Sequence, residues 1–299
     1  MDVGATIPHT GRYASPAWVR EYCTVAEELG FDSLWGVDHL VMPQHTGSDY
    51  TLGRKPAKIA DDAVSGLLSP NYEMMTTLTW VAGFTERIRL GTAVAVLPIR
   101  NAVHNARALA TLDVYSGGRV VYGVGVGWLR EEAEAMGMPW DRRGARSEEH
   151  IALMRTLWCA PGDLVEFHGE FHDQPPMDPE PRPVQRPIPI LIGGHSDIAL
   201  ERAGRIGDGW IAAQMSPERV VEHWPRVLES AERNGRDPAS LQLFTSTPVR
   251  SDRSIAELLA QYREIGVDHV QVGLHRESRE ETLDTMRDVA ENVIPDVRG

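Results

Sequence analysis

Two hydrophobic periods alternate along this chain. Short runs in which nearly every residue is apolar stand between longer runs in which apolar residues recur every three or four positions. The first mark parallel strands covered on both faces, the second amphipathic helices. Asp2 to Ile7 reads as a strand. Ser15-Pro16 supplies an N-cap and a first-turn proline, Trp18, Tyr22, Val25 and Leu29 follow at helical spacing, and Gly30 stops the helix. Ser33 to Val37 is the second strand and runs into Asp38-His39. Asn71 to Phe84 reads as a helix with a Met-rich face, Ile88 to Leu97 as a strand, Asn101 to Tyr115 as a helix and Arg119 to Val126 as a strand. Helical spacing resumes at Leu129 to Met136 and at Ala145 to Trp158. Ile188 to Ile192, Trp210 to Ala213, Leu241 to Val249 and Val267 to Leu274 complete the strands. Helices over Asp197 to Arg205, after Ser216-Pro217, over Ile255 to Ile265 and over Arg279 to Val293 separate and follow them.

Strand and helix thus alternate eight times, and the joints between them echo one another. Leu29-Gly-Phe-Asp-Ser-Leu-Trp35 matches Ile265-Gly-Val-Asp-His-Val-Gln271, with Ile206-Gly-Asp-Gly-Trp210 as a shortened copy. Each is a helix stop, a polar turn and a new strand. Repeated joints in this number predict a closed (β/α)8 TIM barrel, read as a single domain over residues 1–299, with function at the C-terminal ends of the strands. The period is lost over residues 40–70 and again over 161–187, where prolines accumulate. Both are expected to be insertion segments over the C-terminal mouth, covering a small-molecule substrate. Within the second, Val165 to His172 reads as a small hairpin.

The stretch from Ala110 to Trp128 carries the most specific signal. A helix bearing Leu109 and Leu112 stops at Ser116-Gly117-Gly118, a β-rich run starts at Arg119, and Gly123, Gly125 and Gly127 then fall at every second position. In a strand they share one face. A face without side chains admits either a tightly packed neighbour or a flat cofactor. It is not a dinucleotide fingerprint, whose glycines surround a strand-to-helix turn. The string Ala-Thr-Leu-Asp-x-x-Ser-Gly-Gly-Arg followed by Gly-Val-Gly-x-Gly-Trp resembles the luciferase-like monooxygenase superfamily, and most of all the branch that uses the deazaflavin coenzyme F-420. The resemblance runs from Val3 to about Ile294 and implies the same barrel fold.

Four strand ends then carry candidates. At Asp38-His39 a histidine beside a carboxylate can hold one tautomer and relay a proton, or can be a satisfied core histidine in a polar turn. The resemblance turns that histidine toward the deazaflavin ring, with Asp38 and His39 as the catalytic pair. It also implies a non-prolyl cis peptide against the ring near Thr92, Ala93 and Val94. At Gly125-Val126-Gly127-Trp128, related sugar-phosphate dehydrogenases have a glutamate where this chain has Trp128, and a tryptophan where it has residues 40–43. Both departures argue for a more apolar substrate than a sugar phosphate. Gly193-Gly194-His195-Ser196 opens a helix, where exposed N–H groups suit an anion. The resemblance places the cofactor phosphate there, and coenzyme F-420 and FMN both carry one. For the glutamate tail of coenzyme F-420, Arg54, Lys55 and Lys58 or Arg142, Arg143 and Arg146 are the basic clusters available, each equally readable as solvated loop charge.

The expected function is a coenzyme F-420-dependent oxidoreductase that moves a hydride between deazaflavin C5 and a small organic substrate. The alternatives are an FMN-dependent monooxygenase fed by a flavin reductase, and a flavin-binding protein without catalysis. The resemblance implies a homodimer. Composition narrows the partners further. The formal charge of -13 argues against nucleic acid and anionic membranes. No apolar run reaches the length of a membrane span, and the start lacks the features of a signal peptide. Cys23 and Cys159 are no disulfide framework and read as buried thiols in a reducing cytoplasm. His168 and His172 are four apart, but in a hairpin, so no metal site is expected.

Overall fold

In the computed structural model, residues 1–41, 43, 47–48, 69–248 and 251–298 are described. Most of the first insertion, with Arg54, Lys55 and Lys58, lies outside them.

The barrel strands are β1 (Asp2–Thr6), β2 (Ser33–Gly36), β3 (Arg89–Thr92) with β4 (Ala95–Val96), β5 (Val120–Gly125), β8 (Ile190–Gly193), β9 (Gly209–Ala212), β10 (Gln242–Ser246) and β11 (His269–Val272). Taken with the antiparallel hairpin β6 (Val165–His168) and β7 (Asp173–Met177), they account for the sheet structure of the described residues. All barrel pairings are parallel, and contacts of β1 with β11 and of β5 with both β3 and β8 close the ring. β3 and β4 are two halves of one barrel position, because the strand expected over Ile88 to Leu97 breaks at a cis peptide between Ala93 and Val94. The barrel therefore has eight strand positions.

The surrounding helices are α1 (Pro16–Glu28), α2 (Met74–Ala82), α3 (Ala102–Ser116), α4 (Arg130–Ala135), α5 (Arg143–Cys159), α6 (Asp197–Ile206), α7 (Pro217–Arg233), α8 (Ile255–Glu264), α9 (Arg279–Asn292) and α10 (Ile294–Arg298). Their starts obey the capping chemistry of the sequence. Ser15 accepts from Trp18 N–H, Ser196 from Ala199 N–H, and Ser254 with Glu257 forms a full capping box. Met74 and Met75 are buried packing residues of α2.

The echoed joints share one physical device. Asp32 accepts the Val3 N–H at 2.7 Å, Asp268 the Leu243 N–H at 2.7 Å and Asp208 the Ile190 N–H at 2.8 Å. Each aspartate also donates its own N–H to the carbonyl of the same partner residue. The joint pins the start of a new strand to the start of the one before it, which sets the register of three strand pairs.

Inside the ring, Trp35 packs with Val121, Leu191, Ile211 and Phe244. Its indole occupies the space a side chain at Gly91 would need, since a Cβ there would lie 2.4 Å from the ring. The indole N–H donates to Ser33 Oγ at 2.6 Å beside the buried His269.

The Ser-Gly-Gly-Arg string sits at the opposite end of β5 from the mouth and is architectural. Gly117 closes α3 in the left-handed region with φ 70°. The Arg119 guanidinium donates to the carbonyls of Ser116, Ile88, Thr85 and Ala82, gathering the chain ends around the barrel base. Asp113, fully buried, accepts both the main-chain and side-chain N–H of Gln185 and so holds the approach to β8.

Two expectations need correction here. The second insertion does not lie over the mouth but along the outer wall. Glu149 of α5 accepts the N–H groups of Glu170, Phe171 and His172 at the hairpin turn. Arg142 pairs with Glu170 and lies over Phe171, Arg146 lies over the same ring, and Arg107 of α3 donates to the carbonyl of Asp178. A proline-rich excursion such as residues 161–187 carries no sign in its sequence of which surface it meets. Cys23 is buried as expected, but Cys159 is exposed at the end of α5.

His150 is enclosed beneath the helices and His269 inside the ring against Trp35 and Phe244. Burial, reinforced by His172 and Arg100, lowers His150 from its ordinary 6.5 to about 3. Burial likewise holds His269 well below 6.5. The unfolded chain takes up these protons as pH falls through about 6.5, whereas the folded chain does not until about 3 or below. Their contribution to stability is complete above about pH 6.5 and is lost as pH falls toward 3. We expect urea midpoints to hold between pH 7 and 8 and to drop between pH 6.5 and 4.5, by up to roughly 1.4 kcal/mol per pH unit for each histidine. A midpoint that is flat across that window would count against this arrangement.

Candidate active site

The floor of the mouth is apolar. Ala93, Val94 and Ala213 pack on the Trp35 cluster, so the barrel core ends in a surface of small aliphatic groups. The corner that carries Ala93 and Val94 stands where it does because the neighbouring strands lack side chains. A Cβ on Gly123 would lie 2.1 Å from the Thr92 carbonyl oxygen. Gly125 and Gly193 flank Val94, with would-be Cβ atoms 2.8 and 3.0 Å from its two methyl groups. Gly127, outside the strand with φ 74°, faces Val96 in the same way. The alternate glycines therefore make room first for the neighbouring strand. Of the two readings the stripe allowed, close packing accounts for its contacts, and the floor this packing creates is what a ligand would meet.

Asp38 belongs to the same construction. It is buried, accepts the Val96 N–H at 2.8 Å, and holds Arg100 by contacts of 2.6 and 3.2 Å. Burial opposes the Arg100 charge, but Asp38, with Glu73 and the buried Tyr122 beside it, raises the guanidinium's proton affinity further still. Asp38 is thus the post for the β4 corner and not the carboxylate of His39, which corrects the catalytic pair expected from adjacency. In a strand-end turn, neighbours in sequence point to different sides.

The carboxylate that meets His39 is Glu132, in the first turn of α4. Its Oε2 lies 3.0 Å from His39 Nδ1, while its Oε1 accepts the N–H groups of Leu40 at 2.6 Å and Val41 at 3.2 Å. Its neighbour Glu131 performs the same service further along, accepting the N–H groups of Gly47 at 2.6 Å and Ser48 at 3.2 Å. Asn71 donates to the His39 carbonyl at 2.6 Å. The His39 ring meets Trp128 edge to face, with centroids 6.0 Å apart. The side chain is 16% exposed and its Nε2 bonds to no described residue. Sequence reasoning missed Glu132, and the one available signal was the doubled Glu131-Glu132 at a helix start, which reads first as ordinary dipole complementarity.

Across the floor from His39 is the start of α6. Gly194 has φ 111°, Ser196 caps the helix, and Gly193 ends β8. His195 Nε2 is buried and without a hydrogen-bond partner among the described residues, and burial, with Arg219 and His223 nearby, lowers the ring from 6.5 to about 4. Arg219, in the first turn of α7, forms no ion pair among the described residues. A helix N-terminus, an orphaned imidazole nitrogen and a free guanidinium converge there, and together they suit an anion such as a phosphate. By contrast, the Arg142 cluster offered for a cofactor tail is engaged by the hairpin. Among the described residues no group of histidine, cysteine or carboxylate side chains could hold a metal ion. No helix among them is long and apolar enough to cross a membrane.

Comparison with known proteins agrees with this construction. The family model described as luciferase-like monooxygenase matches residues 1–294. An uncharacterized protein of Mycobacterium tuberculosis is 33% identical over 246 residues, covering 80% of this chain and 82% of that one. An F-420-dependent glucose-6-phosphate dehydrogenase of Beutenbergia cavernae is 31% identical, covering 84% of this chain and 69% of its own. Among solved structures, an F-420-dependent secondary alcohol dehydrogenase in complex with an F-420-acetone adduct superposes with a TM-score of 0.77 at 18% identity, covering 100% of this chain and 99% of that one. A monooxygenase of Streptomyces bottropensis does so with a TM-score of 0.75 at 24% identity, covering 99% of each. The chain belongs to the luciferase-like monooxygenase family.

The corner at Thr92 gives a direct test. Gly123→Ala forces a methyl group against a main-chain carbonyl that cannot rotate away. It is expected to cost about 3 kcal/mol or more in stability, read from denaturant midpoints. A midpoint within error of the parent protein would show that the strand corner does not need this space.

Proposed function

We propose that this member of the luciferase-like monooxygenase family is a coenzyme F-420-dependent oxidoreductase acting on a small organic substrate. The observation that carries the reading is the arrangement around the floor: an apolar surface with an ionisable histidine on one side and an anion cradle on the other. That order matches a flat ring with a phosphate at one end. The curated relatives named as F-420-dependent glucose-6-phosphate dehydrogenases, 31% and 34% identical, favour the deazaflavin over FMN.

The residues of the chain divide the work. Gly194, His195, Ser196 and Arg219 would hold the phosphate, while Ala93, Val94 and Ala213 would support the ring. When bound, the deazaflavin supplies a two-electron hydride donor or acceptor at C5, and the protein supplies position and electrostatics. His39 would hold or release the proton that accompanies the hydride. Trp128 stands against His39 and gives this rim an aromatic surface, which suits a more apolar substrate than a sugar phosphate.

The FMN-dependent monooxygenase is the second reading, because the cradle would accept the phosphate of either cofactor. Two fluorescence titrations of the purified protein separate them. We expect tight binding of coenzyme F-420 and weak binding of FMN, with Arg219→Ala weakening F-420 affinity about tenfold or more and leaving the urea midpoint unchanged. Tight FMN binding with weak F-420 binding would overturn the proposal and direct attention to oxygen consumption with reduced flavin.

A further inference from the structure

Glu132 is 1% exposed, yet among the described residues it pairs with no lysine or arginine. Every hydrogen bond its side chain makes to a described residue is with the segment that carries His39. Its two oxygens are not equivalent. Oε1 is taken by two main-chain N–H donors, Leu40 and Val41, whose protons are fixed by the peptide geometry. Among the described residues, Oε2 faces His39 Nδ1 alone. A carboxylate can only accept hydrogen bonds. The atom of His39 that faces it must therefore be the donor, so the neutral ring carries its proton on Nδ1. Nε2 is then left with its lone pair, and it makes no bond to a described residue.

We propose that Glu132 is a positioning residue that locks His39 in the Nδ1–H tautomer, so that His39 faces the substrate as a proton acceptor at Nε2. The same carboxylate fixes the ring's place by tying down the two residues that follow it, Leu40 and Val41. The edge contact with Trp128 limits rotation from the other side. Tautomer and orientation thus come from one buried group on α4, far from His39 in sequence. The proposal deepens the oxidoreductase reading and rests on it for the identity of the reaction: the substrate group placed against Nε2 is one that carries a proton, which it would yield to Nε2 while its hydride goes to the oxidised deazaflavin.

Glu132→Gln makes the idea testable because an amide has one acceptor and one donor end. The two main-chain N–H groups demand the amide oxygen, which turns the NH2 group toward His39 Nδ1. The variant should therefore invert the tautomer and put the proton on Nε2. The readout is the long-range 1H–15N spectrum of histidine-labelled protein without cofactor, with the His39 signals identified by their loss in His39→Gln. We expect the Nδ1–H pattern in the parent protein, the Nε2–H pattern in Glu132→Gln, and the Nδ1–H pattern again in Glu132→Asp, which keeps an acceptor. In turnover, Glu132→Gln should lower kcat by about a thousandfold or more with KM little changed, as an inverted catalytic tautomer does elsewhere. An Nε2–H pattern for His39 in the parent protein overturns the proposal even if neither Glu132 variant folds. So does an Nδ1–H pattern retained in a folded Glu132→Gln protein. The spectra need no cofactor, so a protein with the expected tautomer that fails to bind coenzyme F-420 leaves the role of Glu132 standing and removes only the cofactor.

Discussion

The structure depends on one steric fit. Val94 stands between Gly125 and Gly193, and Thr92 turns its carbonyl into the space left by Gly123. A side chain at any of these glycines would push the corner between β3 and β4 out of the barrel. Asp38 then holds the far side of the corner through the Val96 N–H and Arg100. With the corner in place, the core built on Trp35 ends in a smooth apolar floor, and the groups that could act on a ligand stand around it at fixed positions. The packing of the barrel and the shape of the candidate site are one problem with one solution.

Around this fit, the chain uses carboxylates as acceptors for main-chain N–H groups. Asp32, Asp208 and Asp268 fasten strand starts, and Asp113 fastens the approach to β8. Glu27 takes the N–H groups of Glu86, Arg87 and Ile88, and Glu149 those of the hairpin turn. Glu131 and Glu132 hold the segment after β2. Charge-assisted bonds to a fixed donor are stronger than bonds between neutral groups and give a loop one geometry. Part of the excess of acidic residues thus serves as internal stitching. Glu132 extends the device from structure to chemistry, because one of the groups it fixes is an imidazole.

The barrel was legible because its signals are local. Strand runs, helix caps and the repeated Gly-x-Asp joints depend on residues within one turn of each other, and the structure keeps nearly all of them. The strand over Ile88 to Leu97 was half right: its composition is that of a buried strand, but the break at Ala93-Val94 is imposed by neighbours on β5 and β8. The candidate site was legible in part. His39 and the Gly193 to Ser196 turn lie at strand ends, where the barrel geometry sends function. The partners of Asp38 and His39 were not legible, because Arg100 and Glu132 lie far from them along the chain. Arg219 was not legible for the same reason, since it comes near His195 only through the packing of α7 beside α6.

The sequence by itself determined the element order, the closed parallel barrel and the family. Periodicity, capping and turn residues act over a few residues, so they survive translation from string to fold. Only the tertiary structure decided which carboxylate meets His39, what fills the space beside the alternate glycines, and on which wall the hairpin lies. Those outcomes turn on contacts between residues tens of positions apart, where a side chain's direction matters as much as its identity. A sequence lists acceptors and donors, and the closed barrel assigns them to one another.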